Sequence, residues 1–246
     1  MFGIFKRSTI ELHFYTDNKM VYDCFPIRPA SEYFPQWWRD LPKYPKIPDW
    51  NTPSTMKGCN GILDLHKNSF VIPLWCELML KREYVDDRPD IKLMFANDSF
   101  TSQCHPNFQF TGLLDHDRWS IHKLMNPWVI QCQENLRLLS HDCSYHRGVV
   151  FGDVVFFPGI SDPYMEPELN PFLAVKHDMP DTVMPAGMPL IYLTPVTDRR
   201  VKIFCHYDPI KHNTERSGFF SFYNKGSKKN RQMQLSKNKH CPFQIG

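Results

Sequence analysis

The stretch Val183–Ile203, VMPAGMPLIYLTPVTDRRVKI, sets the reading of the fold. Pro185, Ala186 and Gly187 form a turn signal, and a run follows in which Leu190, Tyr192 and Thr194 alternate with Ile191, Leu193 and Pro195. Such a period of two, rich in β-branched and aromatic residues, predicts a strand. Asp198 and Arg199 then punctuate the chain before VKIFCHY, so a hairpin closing the sheet near the end of the chain is expected.

The same rhythm extends towards the N-terminus. Residues 145–160 (YHRGVVFGDVVFFPGI) and 172–179 (FLAVKHDM) read as strands broken by Pro, Gly or Asp about every ten residues, the spacing of an antiparallel sandwich or barrel. Residues 91–98 (IKLMFAND) alternate behind the turn cluster Asp86 to Asp90, and Trp128 to Cys132 and Asn135 to Ser140 are further strand candidates. Residues 55–84 read as two strands joined at His66, Lys67 and Asn68, with Pro73 marking an edge or a late start of the second. Trp119 to Met125 reads as a short helix or loop. At the start, Ile10, Leu12 and Phe14 alternate with Glu11, His13 and Tyr15 in an opening strand. The expected class is therefore mainly β (α+β), an antiparallel β-sandwich or jelly-roll-like core with short helices.

Composition agrees. Apolar residues are 42% of the 246 and aromatics 14%, enough for a sizeable core. Proline at 21 exceeds glycine at 11, which leaves little uninterrupted chain for long helices. Many of these prolines fall between Cys24 and Trp50, interleaved with Tyr33, Trp37, Trp38, Tyr44 and Trp50, so an N-terminal arm rich in proline and aromatics over residues 25–54 is expected, with one short helix from Ser31 to Leu41 that Pro35 starts or interrupts. The organisation expected is one β-rich domain over 1–210 followed by a tail, 211–246. That tail holds eight basic residues against Glu215 alone; with a whole-chain charge of +3, the preceding body is acidic.

Eight cysteines are spread without tight pairs and MFGIFKRST lacks a hydrophobic signal core, so reduced thiols are expected, as is a chain not secreted by a signal peptide. No apolar run reaches the ~18 residues that cross a bilayer, and no membrane partner is expected.

Catalytic signatures are scarce. There is no CxxC, HExxH, GxSxG, SxxK, GxGxxG or phosphate-cradling glycine loop. Cysteine and histidine lie side by side at Cys104–His105, Cys205–His206 and His240–Cys241, but neighbours on a strand point to opposite faces, which discourages a shared metal. Cys143 and His146 form a weak candidate dyad. The residues LLDHDRW (113–119) permit a second reading, a cupin-like enzyme dependent on a transition metal ion (Fe or Zn) held by His116 and Asp117 with His177 or His206 as the distant partner, although the spacing of His116 and Asp117 is one residue short of the usual triad. The first reading takes no cofactor. The candidate binding residues are Trp37, Trp38 and Trp50 for a contact surface and Lys228, Lys229 and Arg231 for an acidic partner, with nucleic acid as a further partner of the tail.

The succession YDCFPIRPASEYFPQWWRDLPK (22–43), TMKGCNGILDLHKNSFVIPLWCELML (55–80), LMNPWVIQC (124–132) and the Val183–Ile203 stretch resembles an uncharacterised protein family of tailed marine bacteriophages of the cyanophage type. The likeness extends to about residue 210 and carries no catalytic residues. It implies a phage-encoded, non-enzymatic protein, virion-associated or accessory, that engages protein partners or its own copies, in the virion or the host cytoplasm.

Overall fold

The computed structural model describes residues 9–44, 54–86, 88–110, 112–115, 117–134, 136–146, 152–164 and 166–214. It is mainly β, with several antiparallel sheets and few short helices. The strands are β1 (Ile10–Thr16), β2 (Arg28–Pro29), β3 (Phe70–Pro73), β4 (Leu78–Val85), β5 (Arg88–Phe95), β6 (Ser102–Cys104), β7 (Trp119–Leu124) and β8 (Val129–Cys132). They continue with β9 (Leu138–Asp142), β10 (Val154–Phe156), β11 (Gly159–Ser161), β12 (Phe172–Lys176), β13 (Thr182–Met184), β14 (Pro189–Pro195) and β15 (Val201–Tyr207). The α-helices are α1 (Lys19–Cys24), α2 (Gln36–Asp40) and α3 (Asn60–Asn68).

Among the described residues these strands form four sheets, ordered β15-β1-β8, β10-β12-β7-β6, β11-β9-β14-β3-β2 and β13-β4-β5. One contiguous set of buried side chains joins all four: Leu12 and Phe14 from the first, Leu173 and Val175 from the second, Ile72 and Leu193 from the third, and Leu78 and Leu80 from the fourth. This is the sandwich-like arrangement that period-two alternation demands, since each sheet hides its apolar face against another.

The five-stranded sheet is covered on both faces. Ile191 and Leu193 of β14 face the main core, while Tyr192 turns the other way to join Val71, Ala30 and Cys143 beneath a helical layer. That layer is the N-terminal arm, with a 3-10 turn, Ala30–Tyr33, and α2, together with α3 beyond it. Pro35 caps α2 and interrupts the helix expected from Ser31 to Leu41, leaving the 3-10 turn and a five-residue α-helix in its place.

Three expectations are corrected. The first half of the 55–84 hairpin is helix α3, because Ile62, Leu65 and His66 share one inward face at i, i+3 and i+4, a pattern that a short apolar run does not separate from a strand. Its second half is two strands, and Pro73 ends β3, which is flanked by β14 and β2 and buried at all four residues. Pro73 faces Pro189 across the ladder, and two residues without N–H groups end the regular pairing there. Trp119 to Leu124 is strand β7, paired on both sides by β12 and β6.

The third correction concerns the closing hairpin. β14 and β15 lie in different sheets, and β15 runs parallel to β1 over seven residue pairs, from Ile10 with Val201 to Thr16 with Tyr207. The connection is pulled away from β14 by an ion pair between Arg199 and Glu134, whose second contact, Nη2 to Oε1, is 3.0 Å, and by the amide of Val196 donating to Arg137 O at 2.9 Å.

Candidate functional site

The helical layer on Tyr192 holds a cluster of buried polar groups beside an exposed tryptophan, Trp37. Tyr192 is fully buried, flanked across the sheet by Val71 and His141. Its hydroxyl meets His66 Nε2 from α3 and His146 Nε2 from the 3-10 turn Ser144–His146, each at 3.1 Å.

Proton positions follow from the partners. His66 Nδ1 faces the carbonyl of Ile62 at 2.9 Å and so carries the hydrogen; its bare Nε2 accepts from Tyr192, whose oxygen accepts in turn from His146 Nε2–H. A second chain runs beside it. His141 Nδ1 donates to the carbonyl of Asp142 at 3.3 Å, its Nε2 accepts from the Thr194 hydroxyl at 3.0 Å, and Ser69 Oγ donates to Thr194 Oγ1 at 2.7 Å. Burial pushes the pKa of both His66 and His141 down, which keeps them neutral, and pushes the Tyr192 phenol far above its ordinary value. Both ring nitrogens of His66 and of His141 are thus engaged within the protein. The arrangement braces the helical layer on the sheet.

Above it, the aromatic arm packs ring on ring. Phe34 stacks on His66 with centroids 4.2 Å apart and on Trp38 at 5.4 Å, and Trp37 meets Trp38 edge-on at 5.7 Å. Trp38 is 4% exposed, so it belongs to the packing, whereas Trp37 keeps 43% of its surface open. The Trp37 indole is nevertheless fixed: its Nε1 donates to the carbonyl of Tyr145 at 3.1 Å.

Beside Trp38 opens a cleft of about 620 Å³ between the arm and α3, floored by Phe34, Trp38 and Leu63. Its rim carries Ser31, Arg39, Lys43, Lys57 and Asn60. Backbone contacts hold the two walls together. Lys57 Nζ donates to Arg39 O at 2.8 Å, Thr55 N donates to Lys43 O at 3.0 Å, and Arg39 Nε donates to Phe34 O at 3.0 Å.

Of the residues singled out from sequence, the structure brings Trp37 and Trp38 together in this layer. Trp50, Lys228, Lys229, Arg231 and His116 lie outside the described residues. Asp117 precedes β7, where its carbonyl faces His177 Nδ1 at 3.0 Å, and His206 sits on β15 in another sheet, with its Nε2 3.0 Å from His13 Nδ1. Cys205 and His206 point to opposite faces as strand geometry requires: Cys205 packs against the core with Sγ towards Ile27 O, and His206 stacks on Tyr15 outside. Cys143 is fully buried and His146 is bonded to Tyr192. Cys24, Cys59, Cys76, Cys104, Cys132 and Cys205 carry no disulfide. Among the described residues no three His, Cys, Asp or Glu side chains are grouped to hold a metal ion, and no helix is long and apolar enough to cross a membrane.

Sequence reasoning missed the network of two hydrogen-bonded chains, His66 with Tyr192 and His141 with Thr194, and Lys43 and Lys57 as one rim. Their separations along the chain run to more than a hundred residues in the network, and only the folded sheet joins them. Comparison of the chain with protein-family models, curated proteins and solved structures gives no match.

Proposed function

We propose that this is a phage-encoded interaction protein without catalytic activity of its own, virion-associated or accessory, whose contact surface is centred on Trp37. The observation that carries this reading is an indole that is open to solvent and yet held in place, by its hydrogen bond to Tyr145 O and by Trp38 beneath it. A pre-positioned aromatic loses little side-chain freedom on binding and supplies a large apolar contact, the property of interface anchor residues. The histidines beneath support the same reading, since their nitrogens brace the surface from inside.

Mass spectrometry of purified particles of the encoding phage tests the virion-associated form. The chain should be present at a fixed ratio to the coat proteins, and a Trp37→Ala phage should lose it from the particle while the purified variant melts within a few degrees of the parent. Absence of the chain from wild-type particles overturns the virion-associated form, and retention of the Trp37→Ala chain overturns the assignment of the surface.

A further inference from the structure

We infer that the cleft between the arm and α3 is a binding site for a phosphomonoester with a flat or apolar organic body, a ligand about the size of a mononucleotide. It is independent of the Trp37 surface. The argument begins with the donor and acceptor inventory of the rim. Arg39, Lys43 and Lys57 bring positive N–H groups, and Ser31 and Asn60 bring neutral donors. Among the described residues the lining contains no carboxylate. Among the described residues none of the three cations pairs with an acid; their contacts are with backbone carbonyls, and Lys43 Nζ lies over the Tyr44 ring at 5.6 Å.

A site with several donors, three positive charges and no acid is complementary to a compact anion rich in acceptor oxygens. A phosphate monoester has three such oxygens and close to two negative charges near pH 7. A single carboxylate would leave most of these donors without partners. The floor selects the rest of the ligand: Phe34, Trp38 and Leu63 form an apolar base beneath the charged rim, so a bound molecule gains most when an organic group lies against them. The volume of about 620 Å³ is within the usual range for small-molecule sites. The walls are also pre-formed. Thr55 Oγ1 donates to Pro42 O at 2.5 Å, the Thr55 amide donates to Lys43 O, and Lys57 reaches Arg39 O, so the two walls are tied together before any ligand arrives.

Isothermal titration calorimetry on the full chain with AMP, phenyl phosphate, adenosine and inorganic phosphate tests this, with Lys43→Glu and Leu63→Arg variants. The expected result is saturable 1:1 binding of AMP or phenyl phosphate, with adenosine and inorganic phosphate each at least about tenfold weaker because each keeps only half of the recognition. Lys43→Glu should weaken the phosphomonoester by at least about tenfold while leaving the circular dichroism spectrum unchanged, since Lys43 is exposed. Leu63→Arg keeps the rim cationic and disrupts the floor, and should lose the preference for AMP over inorganic phosphate. Absence of saturable binding by either phosphomonoester overturns the inference. So does an affinity that neither substitution changes, or binding of a single-stranded oligonucleotide that AMP fails to compete.

Discussion

At the residue scale, Tyr192 carries more than its volume. Its hydroxyl bridges His66 Nε2 and His146 Nε2, so Tyr192→Phe leaves a buried acceptor on His66 without that donor. The expected cost is about 1–3 kcal/mol, read from denaturant midpoints. His66→Phe keeps the stacking on Phe34 but leaves the buried Tyr192 O–H without its acceptor, and should cost a similar amount. None of this was legible in the sequence: His66 reads there as part of a junction between two strands, and nothing local links it to a tyrosine 126 residues away. Trp37 and Trp38 were legible as a pair, but not that one is open and the other closed, because a five-residue helix in an irregular arm has no periodicity long enough to fix which face is buried.

At the element scale, the alternating runs on either side of Asp86 pair as the β4–β5 hairpin, with eight residue pairs from Leu78 with Phe95 to Val85 with Arg88, so Arg88 to Asp90, expected in the turn cluster, belong to the strand. Its turn places Asp86 at φ 49°, a left-handed conformation that Asp tolerates and branched side chains resist. Asp86→Gly should therefore leave the melting temperature nearly unchanged, whereas Asp86→Val should destabilise by about 1–2 kcal/mol. The pairing of β1 with β15 is of the opposite kind. Each strand is legible by alternation, but their partnership joins two segments about 190 residues apart, and no turn signal announces it. Phe14 is wholly buried in β1 and packs into the core shared by the sheets; Phe14→Ala should cost about 3–5 kcal/mol, more than any substitution on the exposed face of the β4–β5 hairpin. A chemical-denaturation series comparing it with Met79→Ala, on that hairpin's open face, checks the difference.

At the scale of the whole molecule, the fold keeps several imidazoles inside and neutral. His122 is pushed down to about 4, first by burial, with Asp90 opposing and His177 and His105 adding, and burial also lowers His66 and His141. A base whose folded pKa lies below its unfolded value of about 6.5 binds fewer protons when folded, so folding stability is fully present above that value and falls as the pH drops towards the folded pKa. For His122 the window runs from about 6.5 to about 4, and the loss is roughly 3 kcal/mol. Denaturant midpoints at pH 7, 5.5 and 4.5 should decline in that order, and His122→Leu should flatten the decline. By itself the sequence determined the β class, the positions of most strands, the break at Pro35 and the aromatic arm, because alternation and proline act within a few residues of themselves. Only the tertiary structure decided which strands are partners, that residues 60–68 are helical, that the arm covers the second face of the five-stranded sheet, and that Arg39, Lys43 and Lys57 line one cleft. These depend on which apolar faces meet, and burial is a property of the whole chain rather than of any window in it.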